Sequence, residues 1–166
     1  MKYGMVKEVL FFVLILLAQV LVLNHIRLFG CATPFLYVYA ILMLRLDCPR
    51  WAMLLIAFSM GLVVDVFSNT MGMTIIPLTL LGFIRPYILM PFLSRETAED
   101  MQPSIASMGT MTYLSYAMIA VFIYSLVFFT VEAFSFFNWI QWLTGIMAST
   151  VLTAMLIMVI ENVRKL

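Results

Sequence analysis

The sequence predicts an all-α integral membrane protein with six transmembrane helices, and three observations carry that prediction. Of 166 residues, 65% are hydrophobic and 10% charged, against about 25% charged in a soluble domain. A domain this small keeps much of its surface exposed, so such a composition calls for an apolar solvent. The apolar residues fall into six stretches bounded by polar or turn-forming residues, and the basic residues gather in alternate connections. Residues 1–166 read as a single transmembrane domain without a soluble appendage.

The first span is predicted over about 9–23, a run of Val, Leu, Phe and Ile after Glu8. His25 and Arg27 follow it, so it reads as a retained signal-anchor, although Leu28-Phe-Gly-Cys31 resembles a lipoprotein cleavage site. The second span is predicted over about 33–46, with Thr33 as cap and Pro34 in the first turn. It provides only about 20 Å of helix against a hydrocarbon core of about 30 Å. Charge placement decides its fate. Six crossings put Lys2, Lys7, Arg45, Arg50, Arg95, Arg164 and Lys165 on the cytoplasmic side and leave Arg27 outside. Without the second crossing only Lys2 and Lys7 would remain inside, so the positive-inside rule predicts six spans with both termini cytoplasmic.

The third span, about 50–67, starts at Pro49-Arg50-Trp51, and the fourth covers about 73–93. Pro77, Pro86 and Pro91 in or beside the fourth predict a bent helix. The fifth, about 105–131, is long at about 40 Å and must tilt or protrude. Thr97 and Asp100 form a box-like pair before it, and Tyr113, Ser115, Tyr116 and Tyr124 give it a weak polar stripe. The sixth runs over about 139–160. Asn138 can cap it, Gln141 can complete a capping box, and Phe137 can staple onto Trp142. Trp139 and Trp142 then sit at the membrane interface.

Several chemistries lack their residues. The single histidine, His25, has no second ligand at metal spacing. No nucleophile motif, phosphate-binding glycine loop or paired intramembrane aspartates appear, so the expectation is no catalytic residue, no metal and no cofactor. No basic stripe points to nucleic acid. A helix between Cys31 and Cys48 would hold them about 25 Å apart, too far for a disulfide. The polar stretch 94–104, with Arg95, Glu96, Glu99 and Asp100, reads as a cytoplasmic loop.

The most informative run is Gly61-Leu-Val-Val-Asp65-Val-Phe-Ser68-Asn69-Thr70-Met71-Gly72. A carboxylate closing an apolar span is expensive, which makes a role the default for Asp65. Counting helix rise places Asp65 about 8 Å in depth from Arg85 of the fourth span. Asp65 can therefore pair with a snorkelling Arg85 or accept hydrogen bonds from the turn at 68–72. Ser68 and Asn69 suit a tight reversal, Gly72 permits positive φ, and Gly61 lets another helix approach closely.

The pattern Gly61-x-x-x-Asp65-x-x-Ser68-x-x-x-Gly72, closing a third span in a chain of this length, resembles the MreD family of rod shape-determining membrane proteins. The segments Leu23-Asn-His-Ile-Arg-Leu-Phe-Gly-Cys-Ala-Thr-Pro34 and Glu132-Ala-Phe-Ser-Phe-Phe-Asn138 resemble its Bacteroidetes-type version. Met71 departs from the pattern, where relatives often carry proline. The resemblance implies a non-enzymatic scaffold of the cell-wall elongation machinery in the bacterial cytoplasmic membrane. It implies MreC as partner, and through MreC the RodA glycosyltransferase, its penicillin-binding transpeptidase and, indirectly, MreB; lipid is the remaining contact. The family is also similar in fold to the substrate-binding membrane subunits of vitamin ECF transporters, which supplies an alternative function. A vitamin site needs several convergent polar groups. The outer set here is thin (Asn24, His25, Arg27, Asp65, Ser68, Asn69, Glu132), which favours the scaffold.

Overall fold

The computed structural model describes residues 2–22, 32–70, 72–93, 102–133 and 138–165. Expectations resting on Asn24, His25, Arg27, Cys31, Met71, Arg95, the Thr97–Asp100 pair and Phe137 lie outside the described residues. The protein is an all-α membrane protein. Its helices are α1 (Lys2–Leu21), α2 (Leu36–Leu42), α3 (Arg50–Ser68), α4 (Ile75–Leu89, followed by a 3-10 turn Met90–Phe92), α5 (Ile105–Met108), α6 (Thr110–Ala133) and α7 (Trp139–Lys165). Among the described residues four helices are long and apolar enough to cross a membrane: α3, α4 with its turn, α6 and α7; α1 adds a shorter apolar segment, Leu10–Leu21.

Two predicted spans take a different form. The stretch 33–46 is not a membrane-length helix: α2 has 7 residues, all of them buried, and rises only about 10 Å. Pro34 and the non-helical backbone of Phe35 (φ −107°, ψ 67°) delay its start, so Thr33 is not its cap; Phe35 is. The stretch 105–131 is not one long helix either. Gly109, at φ 84°, is an elbow that breaks it into the short α5 and the long α6. Ser104 and Ser107 form the capping box of α5. The other boundaries fall within a few residues of expectation, except that α1 and α7 extend outward to Lys2 and Lys165. At the start of α7 the Asn138 carbonyl accepts from Trp142 N–H at 3.0 Å.

α2 is the centre of the molecule. It touches α1, α3, α4, α6 and α7, while α3 packs on α4, α4 on α6 and α6 on α7. Around it α6 presents Tyr113, Tyr116, Ala117, Ala120 and Tyr124 at helical spacing, all buried. The expected stripe on this helix is thus real for its tyrosines, whereas Ser115 faces outward. The outer surface suits lipid. Exposed Ser59, Ser115 and Thr144 each donate to the carbonyl four residues back (Leu55, Met111, Ile140), so these three hydroxyls are satisfied within their own helices.

Candidate functional site

The site is built from polar side chains that hold backbone. At one end of the bundle lies the corner between α3 and α4. α3 ends because Asn69 adopts the left-handed conformation, φ 55°, ψ 37°, which asparagine tolerates better than most residues. Gly72 follows at φ 82°. The reversal brings the start of α4 onto Gly61: a Cβ there would lie 2.7 Å from Ile75 Cα, so only glycine fits. Asp65, 5% exposed, accepts from Thr74 N–H at 2.9 Å, Ile75 N–H at 3.1 Å and the Thr70 hydroxyl at 3.1 Å. It is a carboxylate cap for α4, supplied from the preceding helix. The orphan N–H groups and the positive end of the α4 dipole both favour its charge.

Asp65 and Arg85 do not pair. Arg85, 1% exposed, serves the other end of the bundle. Its Nη2 donates to the carbonyls of Leu42, at 3.1 Å, and Leu44. Its Nε donates to the Tyr116 hydroxyl at 3.2 Å. Withdrawing a guanidinium from water costs several kcal/mol, on the order that charge-assisted hydrogen bonds can offset. The carbonyls of a helix C-terminus suit a cation. Of the six residues expected to act together, Gly61, Asp65, Asn69 and Gly72 form the corner, with Ser68 as the last residue of α3. Arg85, on α4, instead donates to the carbonyls of Leu42, at the end of α2, and Leu44.

Sequence reasoning missed the clasp at the beginning of α2. Phe35 N–H donates to Thr153 Oγ1 at 3.1 Å and Thr33 N–H to Ser149 Oγ at 3.0 Å, both from α7. Leu36 N–H donates to Gln19 Oε1 at 2.8 Å, and Gln19 Nε2 donates to the Pro34 carbonyl at 2.9 Å. Non-helical backbone at membrane depth is tolerated only where protein satisfies it, and these side chains do so. The available signal was Gln19 inside an apolar span, with Ser149 and Thr153 one turn apart on another.

Two further contacts fix α2 along its length. The Tyr37 hydroxyl meets that of Tyr124 at 2.5 Å, with Thr74 beside it, so the Asp65 corner is continuous with the centre. Tyr39 donates to Glu161 Oε2 at 2.5 Å, and Ile105 N–H donates to Glu161 Oε1 at 3.2 Å. Glu161 of α7, 3% exposed, therefore ties α2 to the α5 elbow. Arg164 stands 3.9 Å from the same carboxylate and donates to Gln102 at 3.0 Å. Thr79, Tyr113 and Ser125 carry the buried hydroxyls that no described residue meets.

Fold and site together define an all-α membrane protein organised round a buried, clasped half-helix. No known family model, curated protein or solved structure matches the chain.

Proposed function

We propose that the chain is a non-catalytic scaffold subunit of MreD type, seated in the bacterial cytoplasmic membrane with both termini in the cytoplasm. It binds MreC and so helps to organise the peptidoglycan synthases, with RodA, the penicillin-binding transpeptidase and MreB reached through that contact. What supports this reading is the use made of polar side chains. The motif residues that suggest the family converge on one rigid corner, where Asp65 holds the first turn of α4. The buried Gln19, Arg85, Thr153 and Glu161 likewise hold backbone of α2 or α5. A vitamin-binding subunit would instead need several polar groups converging on a ligand. The three hydroxyls left over, on Thr79, Tyr113 and Ser125, are a sparse set for that purpose.

Affinity purification of the chain from native bacterial membranes tests the reading. The expected result is co-elution of an MreC-like protein, reduced in Asp65→Ala protein extracted at equal yield. Equal co-elution from both would separate the corner from partner binding. Absence of any such partner from the wild-type eluate would overturn the scaffold reading.

A further inference from the structure

The exposed surface of α4 and of the turn that follows it carries one apolar stripe: Ile76, Leu80, Phe83, Tyr87 and Met90 are all exposed. Their spacing of three and four residues puts them on a single helix face. At its Tyr87 end the stripe meets a cation. The Arg50 guanidinium lies 5.6 Å from the Tyr87 ring centroid, a cation–π contact that fixes its position without neutralising it. Arg50 opens α3, whose first turn carries no acidic side chain. Among the described residues no carboxylate lies within ion-pair distance of Arg50. Exposed Trp51 adjoins it, and tryptophan and tyrosine favour headgroup depth.

An exposed arginine at headgroup depth, unpaired yet held in place above an apolar stripe, has the charge and shape complementary to one occupant. We propose that this surface binds an anionic phospholipid, its phosphate on Arg50 and an acyl chain along Phe83, Leu80 and Ile76. Tyr87 is the positioning residue: its ring keeps the guanidinium from folding away into water. Arg45, also exposed in the connection before α3, is a second cation close by in sequence and serves as the comparison for charge.

The test uses full-length chain carrying Trp139→Phe and Trp142→Phe, which leaves Trp51 as the one tryptophan of three. The protein is placed in vesicles of phosphatidylcholine mixed with brominated phosphatidylglycerol, or the reverse labelling. Quenching of Trp51 then reports which lipid sits beside Arg50. The expected result is enrichment of phosphatidylglycerol of about fivefold, the effect of one arginine beside an anionic headgroup. Arg50→Gln should abolish it, with helical content unchanged, while Arg45→Gln should leave it in place. No enrichment in the starting protein would overturn the site. Equal loss in both variants would overturn it as well, because it would mean diffuse charge.

Discussion

Replacing Asp65 by alanine takes one small side chain from the corner and leaves two backbone donors, the buried Thr74 N–H and the partly buried Ile75 N–H, without their acceptor. Each orphaned donor costs about 1–3 kcal/mol, and loss of a negative charge at a helix N-terminus adds about 0.3–1 kcal/mol or somewhat more where partly buried. In a bilayer the unfolded reference finds other partners, so we expect the lower part of that sum, about 2–4 kcal/mol. That corresponds to a shift of the unfolding equilibrium of about thirtyfold or more. Asp65→Asn keeps one carbonyl oxygen but turns an amide N–H₂ toward a donor, so it should fall between alanine and wild type. The assay is equilibrium unfolding in mixed micelles under rising denaturing detergent, read by far-UV circular dichroism. A loss below about 1 kcal/mol for alanine would refute the reasoning, since even one buried orphan costs more.

Other sites make independent predictions. Gly61→Ala places a methyl 2.7 Å from Ile75 Cα and should destabilise by about 1–3 kcal/mol, as overpacking does, in the same assay. Arg85→Gln should raise amide exchange at the end of α2 and in residues 43–48, because the Leu42 and Leu44 carbonyls lose their cation. Glu161→Ala should raise exchange at Ile105 and loosen α2 at Tyr39, whereas Glu161→Gln, which keeps an acceptor, should do so less. Burial pushes the Cys48 thiol above its ordinary value, partly opposed by Arg85. In a Cys31→Ser background its alkylation should therefore be slow near neutrality and keep rising to higher pH than for a free thiol, because the thiolate is the reactive form.

The elements that span the membrane were legible because long apolar runs with caps leave few alternatives. α3 and the start of α7 are the clearest cases: Pro49 precedes one, and the Asn138 carbonyl accepts the first helical bond of the other. The corner was legible too, since Gly61, Asn69 and Gly72 are local demands of a tight reversal. What escaped was non-local. The clasp on Phe35 comes from a hydroxyl 118 residues away in sequence, and no periodicity announces it. Residues 33–46 passed as a span because charge counting tests which side a connection lies on, not whether the crossing is helical. Gly109 was visible, but an elbow and an interrupted span look alike until the left-handed φ is known. Depth counting put Asp65 and Arg85 within reach of each other. It could not show that α2, lying between their two sites, offers Arg85 a nearer set of acceptors.

The central claim is that the buried polar side chains hold backbone for a partner-binding scaffold instead of gripping a small ligand. Native mass spectrometry of the chain, gently extracted from its own membrane, tests it most directly. The expected species is a complex of this chain with an MreC-like protein whose remaining mass is accounted for by phospholipid. A partner-free chain carrying a stoichiometric, non-lipid small molecule would contradict it.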